Sequence, residues 1–269
     1  MDLHCTLPLD AGSLLGFLAL RAVGGVEEVE GTTYRRSLRL AHGPAVVAVD
    51  LAGGCPVARL EAGDPRDEPE AAARCRALLD LDADPLAVDA VLGADPLLRE
   101  LVRAAPGRRV PGCVDAAEIA FRAVLGQQVS VAAARTQAAR LTERCGERLP
   151  EPAGAVTHLF PAPAALAALD PEELPMPRAR GRSLVGLAGA LAGGLDPRER
   201  DAFLALRGIG PWTADYVAMR CGDPDVLLET DLGVRRGFAR LGDPAALVRR
   251  AEAWRPWRSY AVQHLWSLA

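Results

Sequence analysis

The chain has 269 residues, half of them apolar, and 31 basic residues against 35 acidic ones give a net charge of −4. That length is enough for two or three packed units, and no charge-free apolar run reaches the ~18 residues of a membrane span. The six cysteines (5, 55, 75, 113, 145 and 221) include no CxxC pair, which speaks against a zinc or iron–sulfur cluster and for reduced thiols in a cytosolic protein. The start, Met1-Asp2-Leu3-His4-Cys5, has neither the basic region nor the apolar stretch of a secretion signal.

An overall negative charge is not what a nucleic-acid binder usually shows, but the charge is unevenly spread. From Arg178 onward 14 arginines stand against 10 acidic residues. The local field matters more to a phosphate backbone than the total. No lysine occurs anywhere, so all 31 basic residues are arginine.

In chain order, Ala11–Val23 carries apolar residues at helical spacing. Tyr34–Leu40 and Ala45–Leu51 read as strands of a hairpin with Gly43-Pro44 between them. The polar segment Ala62–Pro69 reads as a loop. Helix-start codes then recur: Asp115-Ala-Ala-Glu118 has the form of a capping box, and Asp170-Pro171, Asp196-Pro197 and Asp243-Pro244 each place an acceptor before a proline. The expected fold class is α+β, mainly α, with a small N-terminal sheet unit ahead of a helical body.

The most informative string is Leu206-Arg-Gly208-Ile-Gly210-Pro211-Trp212-Thr213-Ala214. Two glycines around one apolar residue permit a tight turn, and Pro211 opens the next helix. The amides left uncovered at that helix N-terminus suit a phosphate. About 20 residues on, Asp231 follows an apolar run and precedes a helix; it serves there as an N-cap, as a catalytic carboxylate, or as both. Glu229 is its nearby rival. Trp212 and Tyr216 lie one helical turn apart, and Trp266 lies near the end of the chain. These aromatics belong either to a core or to a pocket. A pocket would attract cationic bases by about 0.5–2 kcal/mol per ring contact. His264 reads as a packed or backbone-bonded histidine rather than an acid or base.

The string from Leu206 to Ala214, followed by Asp231-Leu-Gly-Val-Arg-Arg236, resembles the helix–hairpin–helix DNA glycosylase superfamily. Further matching stretches are Leu15–Val23, Tyr34–Leu38, Leu78–Asp82, Val110–Asp115, Ala123–Val131 and Trp254–Tyr260. Together they resemble the DNA-3-methyladenine glycosylase II family over nearly the whole chain. The resemblance implies an antiparallel-sheet domain at 1–88 and two all-helical domains flanking a cleft. One comprises 89–114 with 225–269; the other comprises 115–224 and holds the helix–hairpin–helix at 203–221.

It further implies Asp231 as the catalytic carboxylate, Phe17, Trp212, Tyr216, Trp266 and Leu232 as the base pocket, and Gly208, Gly210, Thr213, Gln127 and Gln128 as DNA contacts. The implied partner is double-stranded DNA with damaged bases, bound by a monomer in the cytoplasm at the nucleoid. No cofactor is required, though the hairpin carbonyls leave room for a monovalent cation. In the endonuclease III branch the hairpin position of Trp212 carries a lysine that attacks the sugar; without lysine this chain is expected to use water. Two departures stand out. Gln128 occupies the wedge position where the family commonly has leucine, and Leu232 replaces a pocket tyrosine. Two other readings stay open: a glycosylase for deaminated or oxidised bases, and a non-catalytic DNA-binding protein.

Overall fold

The structure, a computed structural model, describes residues 1–269. Helix α1 (Ala11–Arg21) precedes an antiparallel sheet of β1 (Glu27–Glu30), β2 (Thr33–Leu40), β3 (Gly43–Asp50) and β4 (Val57–Ala62), paired in that order. Helices α2 (Glu68–Leu79), α3 (Pro85–Ala94) and α4 (Arg99–Ala104) follow. Next come α5 (Ala116–Leu125), α6 (Val131–Cys145), a ribbon of β5 (Arg148–Ala153) with β6 (Val156–His158), α7 (Pro163–Ala167) and α8 (Arg178–Ala192). The chain ends with α9 (Arg200–Leu204), α10 (Pro211–Arg220), α11 (Leu232–Ala239), α12 (Leu247–Ala251) and α13 (Arg258–Trp266).

The expected hairpin is β2–β3, but Leu40 pairs with Gly43. The turn is therefore Ala41-His42, and Gly43-Pro44 opens the second strand instead of making the bend. On β2 the alternate residues Tyr34, Arg36, Leu38 and Leu40 are buried, as expected of one covered face. On β3 every residue from Ala45 to Val49 is buried, because both faces are covered. One face packs with α1 and α2. On the other, Val46 meets Leu149 and Val156 of the β5–β6 ribbon and Leu159 just after it.

That ribbon corrects the expectation of an all-helical segment at 115–224. Its sequence, interrupted by Pro150, Pro152 and Gly154, has no period-2 pattern to announce strands. Its pairing is correspondingly irregular, with Arg148 opposite His158 and Ala153 opposite Val156.

Three cores hold the rest. The sheet core joins Leu14 and Leu18 of α1, Tyr34 and Val47 of the strands, and Leu78 and Leu79 of α2. A second core is built on α5, α8 and α10, with Phe121, Leu184, Phe203, Ile209 and Val217. A third joins α3, α11 and α13 through Leu92, Phe238, Trp254 and Leu265. Several start codes behave as read: Asp115 accepts from the amides of Ala117 and Glu118 to cap α5. The Asp-Pro pair at 170 opens a single 3-10 turn, that at 243 opens a 3-10 turn that runs straight into α12, and Asp196 caps a turn that ends before α9 starts at Arg200.

Glu118 does not complete a capping box. Its carboxylate enters a buried network between the sheet and α5, where it meets Arg36 at 2.7 Å and Arg122 at 3.0 Å. Glu27 lies opposite, accepting from Arg122 at 2.9 Å, from the Tyr34 hydroxyl at 2.6 Å and from the Val23 amide at 2.8 Å. Burial alone would raise the Glu27 pKa, but the Arg122 and Arg36 cations bring it down to about 2. The stabilisation from Glu27 is therefore full above its ordinary 4.5 and is lost as pH falls from there through about 2. Glu27→Gln should cost about 3 kcal/mol at pH 7, since it leaves buried cations uncompensated. Urea unfolding should show the gap between variant and wild type closing as pH is lowered from 5 to about 2; a pH-independent gap counts against this account.

Candidate active site

A cleft of about 1120 Å³ is lined by the end of α1, the α5–α6 loop, the α9–α10 turn, the residues around Asp231, and Trp266. It brings together most of the residues singled out in the sequence: Gln127, Gln128, Gly208, Gly210, Trp212, Thr213, Tyr216, Asp231, Leu232 and Trp266 all line it.

Asp231 is the N-cap of α11, and its Oδ1 accepts from the Val234 amide at 2.9 Å. The same oxygen accepts from the indole Nε1 of Trp266 at 2.9 Å. The other oxygen accepts from the indole Nε1 of Trp212 at 3.0 Å. Three donors from α10, α11 and α13 thus fix the carboxylate in one orientation, with lone-pair capacity left over. Glu229 is exposed and outside the cleft lining, so the geometry separates it from Asp231.

Trp212 stacks on Tyr216 with ring centroids 5.3 Å apart and planes 10° from parallel. Leu232 stands at the rim, 67% exposed. Phe17 departs from its expected place. It stacks on Trp266 at 6.4 Å, and the Arg21 guanidinium covers its ring at 3.7 Å. It packs against the indole and is not among the residues that line the cleft.

The α9–α10 turn has the expected helix–hairpin–helix form. Gly208 has φ +85°, and a Cβ there would lie 2.0 Å from the Ser183 hydroxyl oxygen of α8, so both conformation and space demand glycine. At Gly210 a Cβ would meet nothing within 4 Å, so its open side faces the cleft mouth without steric demand from the protein. Ile209 plugs the core beneath. Gln127 donates through Nε2 to the Gly208 carbonyl at 2.9 Å and to the Thr213 hydroxyl at 3.0 Å. Its side-chain amide thus braces the turn from the cleft wall. The Gln127 carbonyl in turn accepts from Arg180. Gln128 is exposed, with a left-handed backbone at φ 55°.

Much of the C-terminal arginine excess is neutralised within the fold. Arg200 pairs with Asp215, Arg250 with Asp95, and Arg258 with Asp225. Arg207, Arg235 and Arg236, flanking the turn and the carboxylate, are exposed and in no ion pair. His264 is buried with both ring nitrogens unpartnered, and burial pushes its pKa down to about 3. It is a packed, neutral side chain with no access to the cleft.

Sequence reading missed Gly233, Arg21 and Arg220. A Cβ on Gly233 would lie 2.9 Å from Trp266 Cδ1 and 3.1 Å from Asp231 Oδ1, so only glycine lets the indole reach the carboxylate. Arg220, one turn beyond Tyr216, donates to its hydroxyl at 2.8 Å and to the carbonyls of Pro111 and Gly112. Burial alone would raise the Tyr216 pKa, but Arg220, Arg21 and Arg122 together bring it below the usual range.

The indole bonds give a direct test. The chain has four tryptophans, hence four indole N–H resonances. Asp231→Ala should shift two of them, and Gly233→Ala should shift chiefly that of Trp266. A nitrogen–proton correlation spectrum in which neither variant moves an indole signal would refute the clamp.

The comparisons with known proteins agree with this geometry. Residues 1–115 match the model of the AlkA N-terminal domain, and residues 121–258 match that of the HhH-GPD superfamily base excision DNA repair protein. The chain is 48% identical over 272 residues to the probable bifunctional transcriptional activator/DNA repair enzyme AlkA of Mycobacterium tuberculosis, covering 97% of this chain but only 55% of that protein. It thus spans about half the length of that relative. To DNA-3-methyladenine glycosylase 2 of Escherichia coli it is 40% identical over 273 residues, covering 96% of this chain and 94% of the other. In fold it is similar to the 3-methyladenine DNA-glycosylase from Archaeoglobus fulgidus, with a TM-score of 0.83 at 20% identity over 99% of this chain and 96% of that one. A DNA-bound 8-oxoguanine glycosylase/lyase from Clostridium acetobutylicum shares the fold at a TM-score of 0.66 and 18% identity, over 90% and 97% of the two chains. The chain belongs to the HhH-GPD superfamily of base excision DNA repair proteins and, within it, to the family of AlkA and DNA-3-methyladenine glycosylase 2.

Proposed function

We propose that this protein hydrolyses the bond between sugar and base at alkylated purines in double-stranded DNA and leaves an abasic site with an uncut backbone. The observation that carries this reading is Asp231, held by two indoles in a cleft beside the glycine turn. Names of relatives such as DNA-3-methyladenine glycosylase 2 point the same way.

The chemistry follows from the groups present. A damaged base turned out of the duplex enters the cleft and stacks on the indoles. The bond between C1′ and the purine N9 breaks, and its electron pair leaves with the base. A purine alkylated on a ring nitrogen carries a formal positive charge, so it departs neutral. Positive charge develops on C1′, and the Asp231 carboxylate stabilises it. Water then adds its oxygen to C1′ and passes a proton to the carboxylate or to solvent. No lysine amine is present to compete with water, and Trp212 stands where the lyase branch carries its lysine.

The α9–α10 turn would hold the phosphate backbone through the amides of Gly208, Gly210 and Thr213, with Arg207, Arg235 and Arg236 adding charge. Gln128 would fill the gap left in the stack. Any monovalent cation on the turn shares its carbonyls: that of Gly208 already accepts from Gln127, and that of Leu206 from the Ile209 amide. Cleft, turn and carboxylate come from one chain, which supports action as a monomer, and a DNA substrate puts that work at the nucleoid in the cytoplasm.

Asp231→Asn should slow release of 3-methyladenine and 7-methylguanine by roughly a hundredfold or more, while affinity for abasic-site DNA stays within about threefold. Chromatography of bases freed from methylated DNA reads the first, and fluorescence anisotropy reads the second. Full turnover by this variant would overturn the assignment. Gly208→Ala should weaken DNA binding at least several-fold, since the added methyl collides with Ser183. Borohydride should trap no enzyme–DNA adduct; a trapped adduct would exclude the water mechanism.

A further inference from the structure

Away from the cleft, four of the six cysteines meet in two pairs, all as free thiols. Cys5 and Cys55 are half-buried, bring their sulfurs to 3.0 Å, and stand outside the cleft lining. Cys113 and Cys221 lie 3.8 Å apart against the core built on α5, α8 and α10. Of the other two, Cys75 is buried in the sheet core, and the Cys145 thiol donates to the Leu141 carbonyl of its own helix at 3.1 Å. The backbone brings the first pair together. Residues 1–3 run antiparallel to 56–58 at the edge of β4, where the Leu3 amide donates to the Pro56 carbonyl at 3.0 Å and the Ala58 amide to the Met1 carbonyl at 2.9 Å. Gly53 and Gly54, at φ +74° and +106°, make the tight bend that leads into Cys55.

The two sulfurs of this pair differ in character. The Cys55 sulfur accepts from the Cys5 thiol at 3.0 Å and from the Cys5 amide at 3.3 Å, and these bonds hold its pKa below the usual thiol value. Burial and the same contact push the Cys5 pKa up to about 11. Two guanidiniums flank them: Arg76 donates to the His4 carbonyl, and Arg109 to the carbonyls of Thr6 and Pro8. A thiolate, not a thiol, attacks an oxidant, and nearby cations favour it. Cys55 is therefore the attacking sulfur, and Cys5 is the thiol held in contact to resolve its oxidised form.

We infer that Cys5 and Cys55 form a modification site, a dithiol that a hydroperoxide converts into a disulfide stapling the segment before α1 to the β3–β4 loop. In the first step the Cys55 thiolate attacks one oxygen of hydrogen peroxide. An S–O bond forms, the O–O bond breaks, and the hydroxide that leaves takes up the proton the thiol gave off. In the second step the Cys5 sulfur attacks the Cys55 sulfur. The S–S bond forms, the S–O bond breaks, and the departing hydroxide takes the Cys5 proton. Two thiols lose two electrons to one peroxide, and two waters result. The cross-link constrains the unfolded chain from residue 5 to residue 55, so the oxidised form is the more stable one. Cys113 and Cys221 are the rival pair, but their sulfurs are farther apart and set against a packed core, so peroxide reaches them second.

The test treats the reduced full chain with stoichiometric hydrogen peroxide, blocks the remaining thiols with iodoacetamide, and maps the peptides by mass spectrometry. The first product should join Cys5 to Cys55, be lighter by two hydrogens, and revert with dithiothreitol. Its Tm should lie several degrees above that of the reduced chain. Cys5→Ser should lose both the link and the rise in Tm, and should leave Cys55 as a sulfenic acid that dimedone labels. Cys55→Ser should leave Cys5 unlabelled at the same dose. Melting of the reduced variants confirms that each is folded. A first link between Cys113 and Cys221, or between two chains, would overturn the inference. So would a Cys5–Cys55 link that leaves Tm unchanged, or a Cys55 that stays unlabelled in Cys5→Ser. These readouts are thiol chemistry and melting, so they stand or fall separately from the glycosylase reading.

Discussion

The cleft depends on one carboxylate held by three donors on three helices. Asp231 caps α11 through the Val234 amide while the indoles of Trp212 on α10 and Trp266 on α13 grip its two oxygens. An isolated N-cap aspartate turns freely enough to follow its own helix. This one cannot turn without breaking a bond to a second element. The bonds also position the indoles, so the anion and the aromatic surfaces beside it are set together. Small residues make this geometry available. Gly233 lets Trp266 approach, and at Gly237 a Cβ would lie 2.1 Å from the Leu265 carbonyl, so α11 and α13 meet backbone to backbone.

Beneath the aromatic layer lies a second level of order, made of charge. Glu27 and Glu118 receive Arg36 and Arg122 in the interface between sheet and α5. Two carboxylates are thereby matched to two guanidiniums. Arg220 finds its partners among neutral oxygens, and Arg21 is left over. The sheet domain therefore supplies more than a platform. Through α1 it delivers Phe17 against Trp266 and the Arg21 cation to the cleft, and through β1 and β2 it anchors the α5 arginine that holds the end of α1 in place.

The glycine turn was legible because its sequence states its own physics: Gly208 requires a left-handed backbone, Pro211 starts a helix, and Ile209 must go inward. Asp231 was legible by its spacing from that turn, but its two indole partners were not, because Trp266 lies 35 residues further on. Residue type alone does not separate the cleft aromatics Trp212, Tyr216 and Trp266 from those of the core. Trp254 is buried in the third core and bonds Asp95, and Trp257 and Tyr260 pack edge to face there. Asp-Pro pairs were read as helix starts because the side-chain cap is local; at positions 170 and 196 that cap is satisfied by a single turn, whereas at 243 the turn continues into α12. The β5–β6 ribbon was silent for the opposite reason. Its strands exist through what they cover on β3, and nothing within residues 148–158 encodes that partner.

The position of Trp212 ties these threads to the reaction. In the lyase branch this position holds an amine that attacks the sugar itself. Here an indole N–H at that position points at Asp231. On the function proposed above, a single side chain replaces the nucleophile with a donor to the carboxylate, which then works with water. The same ring stacks on Tyr216, whose hydroxyl sits among arginines, so the aromatic surface that receives a base is linked to the charged layer below it. On the proposed function, such a cleft receives a base by shape and stacking and sets the carboxylate held by its three donors against the sugar.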